Sequence, residues 1–338
     1  MGMWKRSVPL AAIACWVISI SATDSGLRRY QIAGYAQGTD YTITYYAEDR
    51  VVSKEAVDSI LVVIDSSMSL YKPYSLINKI NGGIGEEVMV DEHFYRVLKR
   101  SFEIYRDSRG VFDPTVAPLV QLWGFGVEAI NHFPDSAAIH DALACVGMDM
   151  IRLKGRRLTK KKPCIKLDMN GVAQGYSVDV LADHLERNGI IHYIVELGGE
   201  LRVRGPKPDG EPMRIGIERP ARNGDEHVVI QDVITVRIGA ITTAGNYRKF
   251  LQEGTRRVSH HIDPKTGYPF DTGIISATIY AKDAITADGY DNVIMAMKAD
   301  EAITFANKRK DMDVFVVYRD GTGAIRDTMS VGFKKLIN

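Results

Sequence analysis

The sequence predicts an α+β fold built in layers, not a doubly wound parallel sheet. Three observations carry this expectation. Residues 41–47, Tyr-Thr-Ile-Thr-Tyr-Tyr-Ala, form an early strand rich in β-branched and aromatic side chains. Stretches with helical spacing of apolar residues then follow one another up to Val146. Beyond Ile190 strand signals dominate, and strands and helices mix without a regular βαβα alternation.

Taken in order, Val57, Ile60, Leu61, Ile64 and Met68 share one helix face. Residues 90–105 predict a second helix with Phe94, Val97, Leu98 and Phe102 inward, stopped by Gly110. Residues 135–146 predict a third, ended by Gly147. The basic run 156–162 reads as the solvated turn of a hairpin. Residues 165–168 read as a short strand end, and Asn170-Gly171 as a loop. Residues 172–187 read as a helix with Val172, Tyr176, Val180, Leu181 and Leu185 on one face; Asn188-Gly189 stops it. Strands 190–197 and 201–203 turn at Gly198-Gly199, and residues 233–243 alternate as one strand. Glu253-Gly254 marks a hairpin, and Asp263-Pro264-Lys265-Thr266-Gly267 a tight turn. A strand at 274–281, helices at 284–298 and 299–310, and a closing strand at 312–318 complete the chain.

The 338 residues, 45% hydrophobic and 25% charged, suit one large domain or two lobes sharing a cleft. A net charge of +1 without a basic stripe predicts no nucleic-acid partner. Three cysteines are too few for a disulfide framework; Cys145 and Cys164 suit a pair or two core positions equally. Lys5 and Arg6 precede an apolar run over 8–20, then Ser21 and Ala22, in the layout of a secretory signal. That run is short for a spanning helix, which needs about 20 apolar residues. Residues 1–22 are therefore expected to be a signal peptide or an N-terminal membrane anchor, followed by a single domain over 23–338. Ala12-Ile13-Ala14-Cys15 faintly resembles a lipoprotein cleavage site, which makes lipid attachment a third route. Each route implies an exported protein.

Several segments bear chemistry. In Leu167-Asp168-Met169-Asn170-Gly171-Val172-Ala173-Gln174-Gly175-Tyr176 a carboxylate stands at a strand end and glycines open a helix, where free N–H groups and the dipole suit phosphate. Helical spacing points Asp288, Asp291 and Asn292 together, an oxygen-rich set that suits a hard cation such as Mg²⁺. His260 and His261 lie in an extended segment and so are expected to point to opposite sides, with at most one facing a given site; a histidine beside a phosphate cleft can act as general acid or base. Tyr71 can stack on a flavin or adenine ring. Taken singly, each also suits a plain role: a helix cap, a polar helix start, a hydrogen-bonded histidine, a packed aromatic.

Together and in this order, these segments resemble the ApbE family of FAD:protein FMN transferases. The likeness runs from Gly38 to Tyr318. It is carried by Gly38-Thr39, 69–73, Asp113-Pro114-Thr115-Val116-Ala117-Pro118-Leu119 through Trp123-Gly124-Phe125-Gly126, 167–179, 196–200, 242–247, 259–267 and 286–292. The resemblance implies a two-lobed α+β fold of the tunnelling-fold type with FAD in the cleft between lobes. It implies that Asp168 binds the flavin nucleotide, and that Gln37, Tyr71, Val111, Phe112, Asp113, Gln174 and Ile262 line the FAD site. It implies Mg²⁺ held by Asp288 and the backbone at Gly171, with Asp291 and Asn292 alongside. Asn292 stands where the family has threonine, and Gln174 where many members have lysine. His260 matches the family's histidine, while His261 falls at an ordinarily aliphatic place.

The reaction so implied is attack by a Thr or Ser hydroxyl of a target flavoprotein on the FMN-side phosphorus of FAD, releasing AMP. His260 is the candidate base, with Asp288 or Asp291 as rivals. The expected partner is an exported or membrane-bound redox subunit carrying the Thr/Ser site, on the periplasmic side of the inner membrane. The alternatives are a Mg²⁺-dependent FAD pyrophosphatase giving FMN and AMP, and a non-catalytic FAD-binding protein of the envelope.

Overall fold

The computed structural model describes residues 26–83, 87–218, 230–246, 250–253 and 256–337. The expected signal or anchor at 1–22 lies outside them, as do Tyr247 and Gly254. The strands are β1 (Arg28–Ala36), β2 (Thr39–Ala47), β3 (Val88–Met89), β4 (Ile151–Lys154), β5 (Arg157–Lys160), β6 (Tyr193–Leu197), β7 (Glu200–Arg204), β8 (Met213–Glu218), β9 (Ile230–Val236), β10 (Ile238–Gly245), β11 (Phe250–Glu253), β12 (Arg256–Ser259), β13 (Ile274–Ala281), β14 (Met312–Arg319) and β15 (Ile325–Met329). The helices are α1 (Lys54–Met68), α2 (Leu76–Gly82), α3 (Glu92–Asp107), α4 (Ala117–Leu122), α5 (Ser136–Leu143), α6 (Ala173–Arg187), α7 (Ala284–Met295) and α8 (Ala299–Asn307).

Eight strands form the main sheet, in the order β1-β2-β6-β7-β10-β13-β14-β15, with every pair antiparallel. On one face the inward residues Ile43, Tyr45, Val195, Ala277 and Val314 pack with apolar stripes of the helices, including Val57, Leu61, Phe94, Val97, Leu181 and Val293. On the other face the β8–β9 hairpin and Phe333 cover Val203, Ile241 and Phe315. A third cluster joins Leu119 and Trp123 of the α4 region to Ile139, Val258 and Ile262. The α+β expectation is met, with helices packed as layers on an antiparallel sheet.

Most periodic segments fold as their spacing predicts. Helix α3 begins where Asp91 caps Phe94 N at 2.8 Å, and it buries Phe94, Val97 and Leu98 completely. The differences have local causes. The alternating run 233–243 is two strands: β9 pairs with β8, and β10 joins the main sheet. Gly239 marks the changeover at φ +134°, where a Cβ would lie 2.6 Å from the ring of Tyr280. The basic run 156–162 is a hairpin as expected, but most of it lies in or after β5. Residues 165–168 form no strand; Lys166 makes one isolated parallel bridge to Val116. The strand β14 does not close the sheet, because β15 pairs outside it.

Cys145 and Cys164 form a disulfide, with 5.5 Å between their Cα atoms. Neither is a core residue: Cys145 is half-buried and Cys164 exposed. The bond ties the segment after α5 to the approach to Asp168 across 19 positions, a loop length for which cross-linking is worth about 3 kcal/mol. The expected result is that Cys145→Ser/Cys164→Ser lowers stability by about that amount, read by denaturant unfolding; an unchanged midpoint would contradict it.

Candidate active site

The approach to the site is an irregular segment held by neighbours instead of strand pairing. Asn81 brackets Leu167, accepting from its N–H at 2.8 Å and donating to its carbonyl at 2.9 Å. Lys160 Nζ donates to the carbonyls of Ile80 and Ile165, and Asp168 N donates to Pro114 O at 2.8 Å. Asp168 is thereby fixed at the opening of α6, where its Oδ1 accepts from Asn170 N at 2.7 Å. Tyr71, largely exposed, stands close by: the part of it that packs against the protein raises its hydroxyl pKa, and the charge of Asp168 adds to the effect.

Helices α6 and α7 make the centre of the site. Helix α6 starts without a side-chain cap at Val172, and its first amide, Ala173 N, donates to Met169 O at 2.8 Å. Its third amide, Gly175 N, donates to Asp288 Oδ2 of α7 at 2.8 Å. The two backbones come so close that a Cβ on Gly175 would lie 2.3 Å from Ala284 O and 2.6 Å from the Cβ of Asp288. This position therefore requires glycine. Helix α7 receives the reverse contact, since Ala284 N and Ile285 N both donate to Asp179 of α6 at 2.9 Å. Asp179 is held in turn by Arg202 Nη1 of β7 at 2.5 Å.

Asp288 and Asp291 are both buried, at 5% exposure each. Burial pushes the Asp288 carboxyl up to about 7 against the pull of the Gly175 N–H. Asp291 is raised well above its ordinary value, first by burial and then by the charges of Asp288 and Glu200. Asp179 adds to the rise of Asp288 as Asp288 adds to that of Asp291, so this buried acidic cluster is short of positive charge, which a hard divalent cation supplies. Among the described residues no group of three or more His, Cys, Asp or Glu side chains is arranged for a metal. The donor set that fits is thus two carboxylates completed by neutral oxygens, such as Gly171 O, and water. Asn292 Nδ2 donates to Gly171 O at 3.2 Å, Asp288 O at 3.1 Å and Asp291 Oδ1 at 2.7 Å. The amide nitrogen, and not its oxygen, faces these acceptors; to act as an oxygen ligand Asn292 must turn its amide over.

Gln37 joins the α6 opening from the β1–β2 turn. It holds φ +52° beside Gly38 at φ +80°, the left-handed pair of a tight hairpin. Its Nε2 donates to Ser177 Oγ at 2.9 Å, and Gln174 Nε2 reaches Gln37 O at 3.5 Å. The structure thus brings Gln37, Gly171, Gln174, Asp288, Asp291 and Asn292 to the α6–α7 crossing, with Asp168 and Tyr71 at its approach.

Val111, Phe112 and Asp113 follow the left-handed turn Arg109-Gly110 that ends α3. Asp113 points into the protein. Its Oδ1 accepts from Thr115 N at 2.8 Å and Thr115 Oγ1 at 2.5 Å, and its Oδ2 from Met148 N at 3.1 Å. With these bonds made, the side chain shapes the turn and leaves contact with a ligand to the neighbouring backbone. Asp113→Asn places an amide N–H against the Met148 N–H, and we expect about 2 kcal/mol of lost stability in denaturant unfolding. Burial raises the Asp113 pKa above its ordinary 3.8, so the folded chain binds this proton more tightly than the unfolded one. Its stabilisation is complete below 3.8 and is lost as pH rises through the folded pKa, so the gap between wild type and Asp113→Asn should narrow across that window. A gap that widens would contradict this.

Ile262 is buried in the third cluster and bridges Pro269; the Asp263–Gly267 turn closes with Gly267 N donating to Asp263 O at 2.8 Å. His260 lies just before it, half-buried and 6.1 Å from Phe125 between ring centroids. The expectation that His260 and His261 point to opposite sides is corrected. The chain bends at His260, and the two rings lie 4.0 Å apart at 37°.

Sequence reasoning passed over Asp179, Arg202, Glu200 and Ser177. Asp179 was legible in one respect, since a carboxylate four residues after Gly175 shares its helix face and so meets the same neighbour.

The sequence model of the ApbE family matches residues 37–316. The chain is 30% identical to the FAD:protein FMN transferase of Haemophilus influenzae, covering 98% of each chain. It is also 30% identical to that of Vibrio cholerae, covering 97% of this chain and 98% of that one. The fold superposes on the flavin transferase ApbE from Vibrio cholerae with a TM-score of 0.83, at 31% identity over 92% of this chain and 99% of that one. An apo crystal structure of the Pseudomonas stutzeri flavinyl transferase ApbE gives 0.82 at 30% identity, over 92% and 97% of the two chains.

Proposed function

The chain belongs to the ApbE family, and from that premise we propose that it is a Mg²⁺-dependent FAD:protein FMN transferase. The carrying observation is the buried Asp288–Asp291 pair at the opening of α6. The positive dipole end of α6 and an oxygen site short of positive charge meet there, as cleavage of a pyrophosphate needs. Asp288, Asp291 and Gly171 O would hold the cation, which when bound would offset negative charge on the pyrophosphate.

The hydroxyl oxygen of an acceptor Thr or Ser forms a new bond to the FMN-side phosphorus. The bond from that phosphorus to the bridging oxygen breaks, AMP leaves with the bridging electrons, and FMN stays on the acceptor as a phosphoester. His260 takes the hydroxyl proton in this reading. Asp168, Gln37, Tyr71, Gln174 and Ile262 orient the FAD, and the backbone at Val111, Phe112 and Asp113 shapes the wall beside it.

The acceptor is a redox subunit, exported or membrane-bound, with this enzyme at the periplasmic side of the inner membrane. The signal-like residues 1–22 support that location. The Cys145–Cys164 disulfide supports it independently, because such bonds persist in oxidising compartments. The test uses purified chain, FAD, Mg²⁺ and a flavinylation-competent acceptor domain. The acceptor should gain one FMN by mass, stop gaining it on chelation and resume when Mg²⁺ returns. Transfer that persists after exhaustive chelation would overturn the metal dependence.

A further inference from the structure

Helices α6 and α7 each carry a carboxylate that serves the other's opening. Asp288 of α7 accepts from Gly175 N, the third amide of α6. Asp179 of α6 accepts from Ala284 N and Ile285 N, the first two amides of α7, while Asp283, the residue just before α7, caps Thr286 N. Asp179 follows Gly175 by four residues, and Asp288 follows Ala284 by four, so the exchange is nearly symmetric about the contact between Gly175 and Ala284. Such reciprocal capping fixes the rotation and height of α7 against α6.

We propose that Asp179, held by Arg202, is a positioning residue for the divalent-cation site, setting where the carboxylates of Asp288 and Asp291 stand relative to Gly171 O. The proposal rests on the metal reading given under Proposed function. The donors on the two sides come from different elements: Gly171 precedes α6, while Asp288 and Asp291 ride on α7. Their spacing is therefore no stiffer than the α6–α7 contact. Packing at Gly175 stops the helices from approaching further. It does not stop α7 from rotating or sliding, which the two amide bonds to Asp179 do. Arg202 anchors Asp179 to β7 of the main sheet at 2.5 Å, so the register of α7 is referred to the sheet itself. Asp179 touches neither substrate nor cation in this scheme; it acts through α7.

The test measures Mn²⁺ binding to the FAD-free full chain by calorimetry, with displacement by Mg²⁺, in wild type, Asp179→Asn, Arg202→Gln and Arg202→Lys. The amide in Asp179→Asn keeps one acceptor oxygen and loses the pairing with Arg202. We expect cation affinity to fall at least about tenfold in Asp179→Asn and Arg202→Gln, as for lost outer partners of metal ligands, with Arg202→Lys recovering much of it. In turnover the half-saturating Mg²⁺ should rise by the same factor, while kcat at saturating Mg²⁺ and the KM for FAD stay within about threefold of wild type. A purely structural role would lower the unfolding midpoint and leave cation affinity at the wild-type value, and that result would overturn the proposal. If Asp179→Asn does not fold, Arg202→Gln decides by the same criterion. Wild-type protein that binds no divalent cation would instead sink the metal reading, a failure distinct from unchanged affinity in the variants.

Discussion

Asp288→Ala is expected to lower FMN transfer by at least about a thousandfold, equivalent to roughly 4 kcal/mol of transition-state stabilisation. Asp288 Oδ2 already accepts the Gly175 N–H, and Oδ1 has no hydrogen bond among the described residues, so it is the oxygen left for a cation. Alanine removes both functions. Asp291 alone would leave the cation one carboxylate in place of two. Stability should respond quite differently. The substitution uncaps one amide of α6, which costs about 1 kcal/mol, but it also removes a buried charge that raises Asp291 and is itself raised by Asp179. The two effects oppose, so the unfolding midpoint should shift by only a few degrees while activity collapses. Single-turnover assays beside thermal unfolding read the split. Retained transfer would remove Asp288 from the chemistry, and collapse of both quantities would make its role structural.

Gly175→Ala should have the second-largest effect, through the backbone. The added methyl would lie 2.3 Å from Ala284 O and 2.6 Å from the Cβ of Asp288, and the first of these is main chain that cannot rotate away. The helices must separate or slide. Separation stretches the 2.8 Å bond from Gly175 N to Asp288 and displaces the two amide bonds to Asp179. Overpacking of this kind costs about 1–3 kcal/mol, and weakening the caps adds about 1 kcal/mol more. Because the same movement shifts Asp288 and Asp291 away from Gly171, activity should fall at least about a hundredfold even in the fraction that remains folded. Near-wild-type turnover would mean that the close crossing is not required for the chemistry.

Much of this arrangement was legible in the sequence because it rests on periodicity and on local signals. Helices α3 and α6 show most of their buried faces through spacing, although Phe102 and Val180 are only half-buried and Ile104, Val178 and Ala182 are buried as well. The grouping of Asp288, Asp291 and Asn292 follows from helical geometry and is met, although which atom of Asn292 faces inward is not something spacing can tell. What was not legible depended on partners distant in the chain. The division at Gly239 is invisible because alternation continues through it while the neighbouring strands change. The pairing of Cys145 with Cys164 needs the path of the β4–β5 hairpin between them. The close approach of the His260 and His261 rings needs a bend that strand alternation does not foresee. Asp179 looks like one more polar helix residue until α7 is placed against it.

The most direct test of the central claim is the nucleotide balance in the presence of acceptor, measured beside an acceptor whose target hydroxyl has been removed. The account predicts one AMP released for each FMN that becomes covalently bound, and no AMP formed with the hydroxyl-free acceptor. Free FMN and AMP appearing at equal rates with either acceptor would contradict it, and would identify water as the nucleophile that this site admits.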